Sequence, residues 1–153
     1  MTSARNGSRG FTIVELLIVI VVIGILATLV IVTFTGIQQK ARDSKRKTDV
    51  AAIQAELESY YGSNNTYPTL VHLNDATWRT ANMKGFDAGA LQDPTNSATT
   101  VIAGTTPTHT QYAYNVIPAG CDDSAGSANP CTDYGIYAKL ESDGSVIDKI
   151  SNN

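Results

Sequence analysis

From Phe11 to Phe34 nearly every position is aliphatic or aromatic, and the run holds no Lys, Arg, Asp, Asn or Pro. As a helix, a run of this length extends about 36 Å, enough to cross a hydrocarbon core of about 30 Å. A secretory signal has a shorter apolar stretch, about 7–15 residues, followed by a small-residue cleavage site. Neither holds here, so the pattern predicts a retained transmembrane helix over residues 11–35. Apolar positions then thin to one stripe. Val50, Ile53, Leu57, Tyr60 and Tyr61 recur at helical spacing on an otherwise polar surface. That spacing predicts an amphipathic continuation over 36–62 whose apolar face packs on a sheet. Gly36 weakens a helix interior by up to about 1 kcal/mol, so some loosening is expected there. Gly62 and the turn-rich "SNNTYPT" are expected to end the helix.

Residues 63–153 read as a small globular region. A short helix is expected near Asn74–Met83, and "LQDPTNSATT" reads as loop. Trp78 and Phe86 are read as core. In "TQYAYNVIP", Tyr112, Tyr114 and Val116 share one face. In "YGIYAKLES", Ile136, Ala138 and Leu140 lie opposite Tyr137 and Lys139. Asp143-Gly144 marks a tight turn into "SVIDKI". The expected fold class is α+β, with a long helix packed on three short antiparallel strands.

Composition changes this picture through its distribution. The net charge of −3 conceals a +3 block over residues 37–50 and −7 over 51–153. An acidic globular region argues against nucleic acid as a partner. The block "KARDSKRK" suits anionic lipid or the acidic surface of a neighbouring molecule, or is simply a solvated helix face. Cys121 and Cys131 lie ten positions apart in a polar loop, without a CxxC or a Cys/His cluster. In an exported domain they are expected to form one disulfide, the alternative being two free thiols. Charge flanking the span leaves orientation open, since Arg5 and Arg9 precede it and five basic residues follow it over 40–47. The cysteine pair favours an extracytoplasmic C-terminal region.

Glu15 is the one charge inside the apolar run. A carboxylate at bilayer depth costs roughly 2.5–3.5 kcal/mol at a helix centre on insertion scales unless paired. Just before it stand Gly10, Phe11 and Thr12, after a short leader with Arg5 and Arg9. "RGFTIVELLIVIVVIGILATLVIV" resembles the N-terminus of type IV prepilins and type II secretion pseudopilins. The resemblance implies a leader peptide over residues 1–10, removed by a prepilin peptidase at the Gly10–Phe11 bond. It further implies N-methylation of Phe11 and a role for Glu15 as the assembly carboxylate, meeting the Phe11 amine of a neighbouring subunit. Alternatively, Glu15 sits near the helix start, favoured by the helix dipole, and snorkels to the interface. The family often carries a proline at the position of Val32, and this chain does not. The Tyr67-Pro68 stretch after the helix is similar to the family's, and "QDP" is faintly similar to the Asp-Pro of major pseudopilins.

Other candidate chemistry is thin. Asp122, Asp123 and Asp133 could hold calcium, although they lack EF-hand spacing, and the alternative is a solvated, variable loop. His72 and His109 stand isolated in the sequence. Asn64-Asn65-Thr66 matches a glycosylation sequon but reads as a plain turn. No G-x-S-x-G, HExxH or phosphate-binding glycine loop occurs, so no enzyme activity and no cofactor are expected. The leading expectation is a type IV pilin, favoured by the cysteine-closed loop. It would be stored in the inner membrane and then packed with other pilin subunits into a cell-surface filament by an inner-membrane assembly platform. The alternatives are a type II secretion pseudopilin and an unprocessed single-pass membrane-anchored binding module.

Overall fold

The computed structural model describes residues 10–151, so the leader residues Arg5 and Arg9 lie outside the described residues. It divides into two compact units, residues up to Gln38 and residues from Gln39 onward. A single helix, α1 (Ile13–Asn64), contributes to both. In the first unit every apolar side chain described between Phe11 and Phe34 is exposed. The hydroxyls of Thr28 and Thr33 donate back to the carbonyls of Ile25 and Leu29. Their polarity is thus met within the helix, as an apolar solvent requires. It is the one described helix long and apolar enough to cross a membrane.

In the second unit α1 is followed by α2 (Leu70–Asn74), α3 (Ala76–Asn82) and a 3-10 turn (Ala88–Leu91). Four strands come next, β1 (Ile102–Ala103), β2 (Ala113–Ile117), β3 (Asp133–Lys139) and β4 (Val146–Ile150), in sheet order 1-2-3-4. The expected α+β architecture is present. The three expected strands are β2–β4, paired antiparallel. The sheet as a whole is mixed, because β1 pairs parallel to β2 through Ile102–Ala113 and Ala103–Tyr114. Two residues are too few to show alternation, so the sequence pattern gives no sign of β1.

α1 runs unbroken through Gly36 and past Gly62. A Cβ added at either glycine would meet nothing within 4 Å, so no close approach calls for glycine there. The residue that ends the helix is Asn65, at φ 55°, whose N–H donates to the Tyr61 carbonyl at 2.7 Å. A left-handed asparagine can take the capping place more often held by glycine. The sequon triplet is therefore a helix terminus, with Thr66 buried beneath it.

The expected stripe is the core face. Val50, Ile53, Leu57 and Tyr60 are buried, and Tyr61 packs at the margin. Against them lie Leu73, Leu91, Tyr112, Tyr114, Tyr134 and Ile136. This core is unusually rich in tyrosine, and each buried phenol needs an acceptor. Tyr134 and Tyr67 both donate to the Glu58 carboxylate at 3.0 Å, Tyr112 donates to Asp49 at 2.9 Å, and Tyr114 to the Pro68 carbonyl at 2.8 Å. Burial, reinforced by the Glu58 and Asp49 carboxylates, raises the pKa of Tyr67, Tyr134 and Tyr112, so these phenols stay protonated as donors. The acidic residues flanking the stripe thus anchor the sheet's aromatic rings to the helix.

Leu57→Ala is expected to lose about 2–5 kcal/mol of stability through lost burial and a residual cavity. Thermal or denaturant unfolding of the full chain in detergent micelles reads this directly. A loss below about 1 kcal/mol would mean that the stripe is not the core.

Candidate functional site

The helix start is the first candidate. Gly10 and Phe11 precede α1 without regular structure, and Phe11 is 86% exposed. A Cβ added at Gly10 would meet nothing within 4 Å. Nothing in this chain's own packing therefore calls for glycine there. Thr12 and Glu15 are reciprocally bonded. The Thr12 N–H and hydroxyl donate to Glu15 Oε2 at 2.9 and 2.7 Å, and the Glu15 N–H donates to Thr12 Oγ1 at 3.2 Å. This is a capping box, which satisfies two donors that a helix N-terminus otherwise leaves open. In the isolated chain Glu15 is thus already hydrogen-bonded within its own first turn.

The second candidate was hidden inside "KARDSKRK". Arg46 is fully buried, and around it converge residues far apart in sequence. Its guanidinium grips Asp93 with two bonds of 2.7 and 3.0 Å, and reaches Glu141 at 2.7 Å and Asp43 at 3.1 Å. It also donates to the His109 carbonyl. Arg42 grips Glu141 from one turn earlier along α1, with its closest contact at 2.6 Å. Asp43 accepts the N–H groups of Glu141 and Ser142, at 2.8 and 3.0 Å. Five charged groups thus join the helix to the Asp93-Pro94 loop and to the β3–β4 turn. Burial raises the Asp43 pKa, but the Glu141 and Ser142 N–H groups and Arg46 outweigh it and hold the carboxyl at about 2 against an ordinary 3.8. Asp93 is likewise raised by burial but lowered overall by Arg46 and Thr95. Glu141 is lowered first by Arg42 and then by Arg46. The basic block is therefore neither a plain solvated face nor wholly free for lipid: Lys40 and Lys47 are exposed, whereas Arg46 belongs to the core. A signal existed in the sequence. Asp43 and Arg46 continue the stripe's alternating steps of three and four residues, and only their polarity disguised them.

The third candidate is the C-terminal loop. Cys121 and Cys131 form the expected disulfide, with Cα atoms 5.0 Å apart. The Cys131 backbone is tied to the end of α1: its carbonyl accepts the Tyr67 N–H at 2.9 Å, and its N–H donates to Thr66 Oγ1 at 3.1 Å. The three candidate calcium ligands have separate partners. Asp122 accepts from the Ser124 N–H and hydroxyl, and Asp133 from the Ser151 hydroxyl. Asp123 is buried, accepts the Thr69 N–H at 2.8 Å and lies 2.7 Å from His72 Nδ1. Among the described residues no three His, Cys, Asp or Glu side chains gather around one point. His72, isolated in sequence, is thus partnered in space, and its ring stacks on Trp78 with centroids 4.6 Å apart.

An exposed apolar helix start, a capping-box glutamate and a helix packed on a small sheet define the class of prepilin-like subunits. A family described as a prokaryotic N-terminal methylation motif matches residues 5–31. The type II secretion system core protein G of Escherichia coli K12 is 32% identical over 146 residues, which cover 89% of this chain and 97% of that protein. The core protein G of Aeromonas hydrophila is 43% identical over 42% of this chain and 46% of its own length. The type IV major pilin PilA of Myxococcus xanthus is 37% identical over 39% of this chain and 27% of its own length. The last two matches thus span less than half of those proteins. No solved structure matches the chain. The chain belongs to the type IV pilin and type II secretion pseudopilin family.

The ionic cluster gives two expected outcomes. Arg46→Met leaves buried carboxylates without a counterion and should cost about 3–5 kcal/mol, measured by denaturant unfolding. The depressed carboxyl pKa values also imply acid sensitivity. Their contribution is complete above the unfolded-state value and is lost as pH falls through the folded one. For Asp43 that window runs from 3.8 down to about 2. Melting temperature should fall through this range in the wild type, and less steeply in Arg46→Met.

Proposed function

We propose that the chain is a structural, non-enzymatic pseudopilin of a type II secretion system, packed by its N-terminal helix into a filament core. The observation that carries this reading is the similarity to core protein G along 97% of that protein's length. The Asp-Pro step at Asp93-Pro94, whose buried aspartate is held by Arg46, supports it as well. A type IV pilin is the second reading, supported by the Cys121–Cys131 loop and the similarity to a major pilin.

In either case the proposed course of events is the same at the N-terminus. The precursor is held in the inner membrane with residues 63–153 outside the cytoplasm. A prepilin peptidase cuts at Gly10–Phe11, and the new Phe11 amine is methylated. That amine is a cation at neutral pH. In an apolar filament core it and a carboxylate are each costly alone and much less so together. Glu15 is assigned to meet the Phe11 amine of another subunit and so to set axial register. Repetition of one such head-to-tail contact without closure generates a fibre. Assembly then needs further copies of the chain and an inner-membrane platform.

Intact-mass and N-terminal analysis of protein from cells should give a chain beginning at N-methyl-Phe11. A retained Met1, or a start after residue 34, would overturn the filament assignment. Deletion should abolish secretion of exported proteins while leaving surface pili and motility unaffected. The reverse phenotype selects the type IV pilin reading. Glu15→Ala should be cleaved normally yet yield few filaments, and wild-type yield would defeat the register argument.

A further inference from the structure

A second buried arginine behaves unlike Arg46. Arg79, in the middle of α3, is only 4% exposed, yet among the described residues it has no carboxylate within ion-pair distance. Its side chain makes one hydrogen bond among the described residues, from Nη1 to the Leu73 carbonyl, tying α3 to α2. Asp75, one turn before it, is an acidic neighbour, but it is occupied in capping α3 through the N–H groups of Thr77 and Trp78.

A guanidinium carries five N–H donors, so most of this one's capacity is unused. The unused nitrogens are not sealed in the interior. Asn115 Oδ1 is the only fully enclosed side-chain nitrogen or oxygen without a partner among the described residues. Arg79 also lines a cavity. That cavity has a volume of about 200 Å³, and Ala76, Thr80, Met83, Lys84 and Phe86 complete most of its wall. Lys84 is exposed at its margin and brings a second positive charge. The apolar wall groups lower the local dielectric and strengthen any attraction to an anion. An uncompensated buried cation is costly, and an arginine fork matches the two oxygens of a carboxylate or phosphate. The space admits such a group with waters, each taking about 30 Å³.

We propose that Arg79 and Lys84 form a two-cation pocket, outside the filament helix, that binds a compact oxyanion. The group is a carboxylate or phosphate, supplied either by a free solute or by an acidic side chain of a second copy of this chain. The acidic character of residues 51–153 gives neighbouring copies many such groups to offer.

The test uses the full chain in zwitterionic detergent micelles at constant ionic strength. Sodium phosphate and sodium acetate are titrated while the Arg79 Nε–H signal and the amide signals of Thr80 and Lys84–Phe86 are followed by NMR. Saturable shifts confined to this pocket are expected. Arg79→Gln should weaken binding roughly tenfold or more, the effect of a lost charge-assisted bond. Lys84→Gln, at an exposed position that leaves the fold intact, should weaken it about threefold. In a second arm, mixed isotopically labelled chains are treated with a zero-length carbodiimide cross-linker. Inter-copy products at Lys84 that phosphate suppresses identify a neighbour's acid as the source, and their absence alongside saturable phosphate binding identifies a free solute. Affinity weaker than about 100 mM in the first arm, without phosphate-sensitive cross-links in the second, overturns the site. Unchanged affinity in Lys84→Gln, or in folded Arg79→Gln, does the same.

Discussion

The Arg46 guanidinium lies where three distant parts of the second unit meet, and their arrangement depends on it. Apolar stripes tolerate sliding, because one methyl group can replace another at little cost. A two-bond contact to Asp93 at 2.7 and 3.0 Å does not. With Asp43 taking the N–H groups of Glu141 and Ser142, the β3–β4 turn is set at one height along α1. Buried ion pairs contribute little net stability compared with apolar packing. Their directional bonds nevertheless choose among packings that the hydrophobic effect alone would leave nearly equal. Glu58 does the same further along the helix through the phenols of Tyr67 and Tyr134. Polar groups therefore fix the sheet at both ends of the Val50–Leu57 stripe.

The Cys121–Cys131 loop is held by similar means. The disulfide closes it, Thr66 and Tyr67 fasten Cys131 to the end of α1, and Asp123 is taken up by Thr69 and His72. The acidity of "CDDSAGSANPCTD" therefore need not signify a ligand site. One of its carboxylates is a buried structural acceptor, and the others cap their own turns or bond a neighbouring hydroxyl.

What could be read in the sequence was periodic or local. The apolar run, the core stripe, the helix near Asn74–Met83, three strands and the disulfide all leave marks within a few residues of themselves. The missed features depend on partners far along the chain. Arg46 and Asp93 are 47 positions apart, and Arg42 and Glu141 are 99 apart. Taken singly, such residues look like surface charges. Gly62 was a reasonable stop signal, but Asn65 took the left-handed conformation instead because a short polar side chain tolerates it. β1 had no pattern to reveal it, since its two residues are strand only by virtue of pairing with β2.

The capping box at the start of α1 also bears on the spacing of the motif. Thr12 and Glu15 are three residues apart because that separation brings an N3 side chain back over the first turn. An acid one position earlier or later would point away from the cap, and the Thr12 N–H and hydroxyl would lose their acceptor. The interval from Thr12 to the carboxylate is therefore the one by which a helix start satisfies its own donors. The acid is thus held in one orientation at the helix start by this chain alone.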